Sequence, residues 1–160
     1  MSENRCLVSD MTTPVEQGLA NWFTRNHRSC DDLWAQVETA VDNGIEAEII
    51  SATVQFVAET KRHLQIEEEL LFPMLGQATG MGSSGPVGVM LAEHDQMKRL
   101  LNLMEEKGHK GYGELVLDLG DTLLLLTQQH NMKEEQILYP MSEEALSGQW
   151  PELHARLLKS

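Results

Sequence analysis

Residues 63–73 and 130–140 carry one motif written twice. His63-Leu64-Gln65-Ile66-Glu67-Glu68-Glu69-Leu70-Leu71-Phe72-Pro73 and His130-Asn131-Met132-Lys133-Glu134-Glu135-Gln136-Ile137-Leu138-Tyr139-Pro140 both read His-x-x-x-Glu-Glu-x-x-Leu-aromatic-Pro. An offset of 67 residues, the step from His63 to His130, maps one copy onto the other and also carries His27 onto His94. The chain therefore holds two copies of a unit that supplies a histidine and then a His-x-x-x-Glu pair. On a helix, residues i and i+4 lie one above the other, so each pair presents a nitrogen and an oxygen to the same point.

The apolar spacing around these residues is helical throughout. A capped start at Thr13-Pro14-Val15-Glu16 predicts a first helix with the seam Ala20, Phe23, His27, Cys30, Trp34, Val37 and Val41, stopped by Asn43-Gly44. The second carries Ile49, Thr53, Phe56, Thr60, His63, Glu67, Leu70 and Met74, with Pro73 expected to kink or end it. A Gly- and Ser-rich stretch from Gly76 to Gly88 joins the repeats. The third helix opens near Gly85-Pro86 and carries Val87, Met90, His94, Met97, Leu101 and Met104. The fourth, after Gly111-Tyr112-Gly113, carries Val116, Gly120, Leu123, Thr127, His130, Glu134, Ile137 and Met141. Trp150-Pro151-Glu152 signals a short fifth helix packing Trp150, Leu153 and Leu157.

These elements predict an all-α, up-down-up-down four-helix bundle over residues 13–141. Residues 1–12 form a lead-in and 142–160 a C-terminal extension of one domain, as suits 160 residues. In antiparallel hairpins, residues equidistant from a turn meet. The midpoint of His27 and His63 falls beside Asn43-Gly44, that of His94 and His130 inside the Gly108 to Gly113 turn, and that of His63 and His94 in the central loop. The four histidines then share one level of the core, within about one helical turn, or ~5 Å.

Burying even one unpaired carboxylate costs several kcal/mol, and pairing each glutamate with one histidine leaves two imidazoles without acidic partners. Cations resolve both problems. The expected site is a two-metal centre built from His27, His63, Glu67, His94, His130 and Glu134, with two carboxylates between two half-sites. Each metal then has about two imidazole nitrogens and two carboxylate oxygens, plus an oxo or hydroxo bridge. An octahedral metal such as iron keeps an open position; manganese or zinc fits less specifically.

At these residues the sequence resembles the haemerythrin-like, or HHE cation-binding, family, over roughly residues 13–141. The resemblance implies a non-haem di-iron centre that binds dioxygen, nitric oxide or peroxide, with the four histidines as terminal ligands and Glu67 and Glu134 as bridges. Oxygen-carrying haemerythrins use five histidines, one helix bearing His-x-x-x-His; here position 98 is Lys98, and His130 is followed by Glu134 and Glu135. The four-His, two-Glu set is more similar to di-iron proteins implicated in repair of iron centres after nitrosative and oxidative stress. Those usually carry an additional cysteine-bearing N-terminal domain, in whose place stands Cys6.

Oxidant binding is thus the first expectation. Iron storage or donation, and a ligand-sensing interaction module, are the alternatives. No separate general acid, base or nucleophile marks the chain as an enzyme. Of its charged residues 25 are acidic and 12 basic, and the net charge of −13 disfavours nucleic acid and anionic membrane. The longest apolar run, Leu123 to Leu126, cannot span a bilayer, and Met1 to Asp10 lacks a secretion signal, so a cytoplasmic protein with reduced Cys6 and Cys30 is expected. Leu124 and Leu125 offer a homodimer face.

Around the ligands, Asp31, Glu68, Asp95 and Glu135 read as solvated or outer-layer groups, and His109 and His154 as exposed. Cys30 reads first as a small buried apolar residue, with a place near the metal as the alternative; Thr60 and Thr127 read first as bonded to their own helices, with donation to a metal-bound ligand as the alternative. Tyr139 offers redox or hydrogen-bonding chemistry, yet its repeat partner Phe72 favours packing.

Overall fold

The computed structural model describes residues 17–160, so the lead-in over 1–12, Cys6 and the helix start at Thr13 to Glu16 lie outside the described residues. Helix α1 spans Leu19–Asn43 and stops at Gly44, whose φ of 72° lets its N–H reach the carbonyls of Ala40 and Val41. Helix α2 spans Glu46–Ile66, with Glu46 and Glu48 in its first turn, where the helix dipole favours negative charge. A π-helical turn over Glu67–Leu71 follows, then α3 over Phe72–Thr79. Helix α4 spans Pro86–His109 and begins on the proline, whose missing N–H costs nothing there. Helix α5 spans Gly113–Lys133, a second π turn covers Glu134–Leu138, and α6 (Tyr139–Ala145) and α7 (Trp150–Leu157) complete the chain. No strand occurs among the described residues.

The helices form a bundle. Helix α1 packs on α2, α5 and α6; α4 packs on α2 and α5; and α3 meets α6. Two apolar clusters fill the interior. One holds Trp22, Phe23, Phe72, Met90, Leu138 and Trp150; the other holds Trp34, Val37, Phe56, Met97, Leu101 and Leu123. Along α1, α4 and α5 the motif histidines separate the two sets: His27 follows Phe23 and precedes Trp34, His94 lies between Met90 and Met97, and His130 lies between Leu123 and Leu138. A polar layer is therefore sealed between two greasy ones. Trp150, Leu153 and Leu157 of α7 join the first cluster, as their start signal predicts.

The π turns revise the expected seam. Each begins at a motif glutamate and closes with an i→i−5 bond, Phe72 N–H to Glu67 O and Tyr139 N–H to Glu134 O. In an α-helix, a residue five positions on stands about 140° away around the axis. The wider π turn brings it back over its starting residue. The inward positions after the glutamates are consequently Leu71, Phe72, Leu138 and Tyr139; Ile137, expected inside, is 58% exposed, and Leu70, Met74 and Met141 are only partly buried. Pro73 does not end the helix. It falls in the first turn of the resumed α-helix, where its missing N–H is harmless. His154 is also buried rather than exposed, packed against Trp150 with ring centroids 5.1 Å apart, whereas His109 is exposed.

Candidate metal centre

His27 comes from α1, His63 from α2, His94 from α4 and His130 from α5, while Glu67 and Glu134 open the two π turns. All six side chains are buried and meet in the polar layer. Their ligand-type atoms form two overlapping groups, each within 4.8 Å: Glu67, His94, His130 and Glu134, and His27, His63 and Glu134. Glu134 Oε1 lies 3.1 Å from both His27 Nε2 and His130 Nε2. Glu67 Oε1 lies 2.9 Å from His63 Nε2 and 3.6 Å from His94 Nε2. Both carboxylates thus stand between the two halves, as the repeat predicts.

Each ring is oriented from behind. His27 Nδ1 lies 3.0 Å from Glu135 Oε2, His94 Nδ1 3.0 Å from Glu68 Oε1, His130 Nδ1 3.0 Å from Glu93 Oε1 and His63 Nδ1 2.6 Å from Asn26 Oδ1. Acceptors at all four Nδ1 atoms assign the proton there and aim Nε2 at the centre. The acceptors are themselves held: Lys98 Nζ donates to Glu68, Lys133 Nζ to Glu93, and Asn26 Nδ2 to Glu59, which also accepts from Arg62. This outer layer repeats with the same 67-residue offset, Glu68 with Glu135 and Asn26 with Glu93. Three corners are anionic and the His63 corner is neutral. Asp31 and Asp95, the other sequence neighbours, are exposed.

Asn26 and Glu93 escape a reading built on inward-facing seams, because each precedes a motif histidine on its own helix and serves the next helix. The signal was the offset itself, which pairs two polar residues beside His27 and His94. Tyr139 was seen, but its direction was not. Its hydroxyl lies 2.9 Å from His27 Nε2, 3.0 Å from Glu67 Oε2, 3.2 Å from Glu134 Oε1 and 3.5 Å from His63 Nε2. Burial, with the charges of Glu134 and Glu67, pushes this phenol well above its usual range.

The donor set fits cations. His94 Nε2 and His130 Nε2 face each other at 3.2 Å, and two imidazole lone pairs at that distance need a positive charge between them. Glu67 Oε1 and Glu134 Oε2 are buried and receive no hydrogen bond. Burial favours a neutral His27, yet the hydrogen bonds it donates to Glu134 and Glu135 and the charges of Glu134 and Glu67 outweigh it and push its pKa up to about 9. His130 is raised in the same sense, against its own burial, by Glu134, Glu67 and Glu93. Glu67 is held well below the carboxylate range, the nearby histidines overcoming its complete burial. The field that favours a proton on these rings is the one that would favour a metal ion in its place.

Beside the centre, Cys30, Asp31, Trp34, Phe56, Thr60, Leu123 and Thr127 line a cavity of about 30 Å³. Thr60 Oγ1 is buried without a hydrogen-bond partner, contrary to the expected bond to its own helix. No helix among the described residues is long and apolar enough to cross a membrane.

Comparison with known proteins agrees with this geometry. Two relatives named iron-sulfur cluster repair protein YtfE, from Escherichia coli O157:H7 and Shigella boydii serotype 18, are each 30% identical over 107 residues. The match covers 57% of this chain and 44% of each relative, so the chain spans less than half the length of the curated relatives it matches. No solved structure matches. The sequence model of the hemerythrin HHE cation binding domain matches residues 19–142, which holds all six motif residues and both outer-layer pairs, and the chain belongs to that family.

Proposed function

We propose that this chain is a non-haem di-iron protein that binds or reacts with a small oxidant, namely dioxygen, nitric oxide or peroxide. In this reading His27, His63, His94 and His130 would be terminal ligands and Glu67 and Glu134 would bridge two ions, within an up-down-up-down four-helix bundle whose described part runs from Leu19 to residue 141 and is extended by 142–160. The observation that carries it is the buried layer in which four Nε2 atoms and two carboxylates converge, with His94 and His130 nitrogens 3.2 Å apart. A bound iron pair supplies two electrons and a Lewis-acidic position for a small ligand.

The chain's own residues do the rest. Glu135, Asn26, Glu68 and Glu93 fix the tautomer and tilt of the four rings, which holds the ligand set ready for the metal. The two apolar clusters exclude water from the layer, and charge interactions within it are strong for that reason. The cavity beside the centre has room for a diatomic molecule and lies one helical turn from His27, His63 and His130 through Cys30, Thr60 and Thr127.

The test is the metal content and absorption spectrum of protein purified without added metal, before and after anaerobic reduction and re-exposure to air. About two irons per chain, the number that two half-sites require, with visible bands that bleach on reduction and return in air, are expected. A metal-free protein that takes up no iron overturns the reading. The name of the relatives favours a second reading, iron donation in repair of iron centres. That reading requires a labile pair, removed by chelator within minutes, whereas oxidant chemistry requires a retained one.

A further inference from the structure

The two halves of the centre match down to their aromatic rings. Phe72 lies against His94 with centroids 5.5 Å apart and planes 33° apart; Tyr139 lies against His27 at 5.4 Å and 35°. The π turns place both rings, and the repeat relates them. Between these two rings the difference is one oxygen atom, on a side chain that is fully buried. From Oη the distances to His27 Nε2, Glu67 Oε2, Glu134 Oε1 and His63 Nε2 are 2.9, 3.0, 3.2 and 3.5 Å.

A phenol has one proton to donate, and four electron-rich atoms surround this one. The spacing has a simple explanation. Adjacent donors on one octahedral metal, with bonds of about 2.1 Å, stand about 3 Å apart. The hydroxyl keeps that distance, within half an ångström, from every donor on its side.

We propose that Tyr139 is a fifth protein donor to the metal held by His27 and His63, so that the two metal positions are unequal. This rests on the di-iron reading above. Binding breaks the Oη–H bond and forms an oxygen–metal bond; the proton leaves to solvent and no electron is transferred. On the other side Phe72 has no atom to offer, and the corresponding position of the His94–His130 metal is left to the incoming small ligand.

The test is resonance Raman spectroscopy of the air-oxidised, iron-loaded protein, with iron counted on the same samples. Only two tyrosines are present, and the other, Tyr112, is half exposed in a turn. Coordinated-phenolate ring modes under visible excitation are expected in the unmodified protein and in Tyr112→Phe, shifted by ring-deuterated tyrosine, and lost in Tyr139→Phe at unchanged iron content. Full iron without those modes, or modes that survive in Tyr139→Phe, overturns the assignment and leaves the iron pair standing. An unmodified protein that takes up no iron overturns both. Should Tyr139→Phe fail to fold, the labelled protein and Tyr112→Phe decide the matter.

Discussion

Gly120 lies in the middle of α5, where a glycine costs about 1 kcal/mol relative to alanine, so propensity alone predicts that Gly120→Ala stabilises the protein. Packing predicts the opposite. A Cβ at this position would stand 1.9 Å from Trp34 Cη2, 2.5 Å from Cζ2 and 2.7 Å from Cζ3, against a comfortable carbon–carbon separation of about 3.5–4.0 Å. The indole is buried, is rigid and packs on Phe56 at 5.2 Å, so it must move by about 1.5 Å or the helices must part. Overpacking on this scale belongs at the upper end of the usual range, about 3 kcal/mol. The net expectation is a loss of about 2 kcal/mol. With a urea dependence of about 2 kcal/mol per molar, the unfolding midpoint falls by about 1 M. The assay is urea unfolding followed by far-UV circular dichroism in excess chelator, so that metal binding does not mask the change. Trp34→Phe in the Gly120→Ala background should recover part of the loss, since removing the outer ring removes the clashing atoms. A Gly120→Ala protein as stable as the parent, or more so, would refute the claim that Trp34 occupies the glycine's missing side chain.

The metal-free protein should lose stability in alkali. His27 is raised from 6.5 to about 9, so its contribution is complete below about pH 6.5 and disappears as pH rises through 9, about 3 kcal/mol in all; urea midpoints at pH 6.5 and 9.5 in chelator check this. Adding ferrous iron anaerobically at a hundredfold excess over its dissociation constant should stabilise the fold by about 2.7 kcal/mol per independent site, read as a rise in melting temperature. Asn26→Leu frees the His63 ring and should weaken metal affinity about 10- to 100-fold, measured by competition with a chelator, while Asp95→Asn, on an exposed side chain, should not.

The six candidate ligands were legible as a set because duplication is a signal of its own. An isolated buried histidine has many explanations, but His27, His63, Glu67, His94, His130 and Glu134 share one offset and one helical face. The turns were legible for equally local reasons: Gly44 and Pro86 each answer a backbone requirement at a helix end. The π turns were not legible, because seam arguments assume a constant 3.6-residue period and one extra residue leaves no mark on composition. That one assumption turned Ile137 inward and left Tyr139 undirected. His154 was missed for another reason: short helices such as α7 bury whatever faces the bundle, and the Trp150 indole packs against its imidazole. Asn26 and Glu93 act across helices, and contacts of that kind follow only from packing.

The π turns also mark where two of the long helices depart from regular winding. Turns closed by bonds reaching five residues back are rare, and both begin at the glutamates that would grip the metal. Backbone continuity and cation loading are therefore mechanically coupled: with both carboxylates anchored, these turns are clamped, and without an anchor they are freer to breathe. Hydrogen–deuterium exchange should show it as protection of amides 67–72 and 134–139 that appears on iron loading and exceeds any gain in the outer turns of α1 and α4.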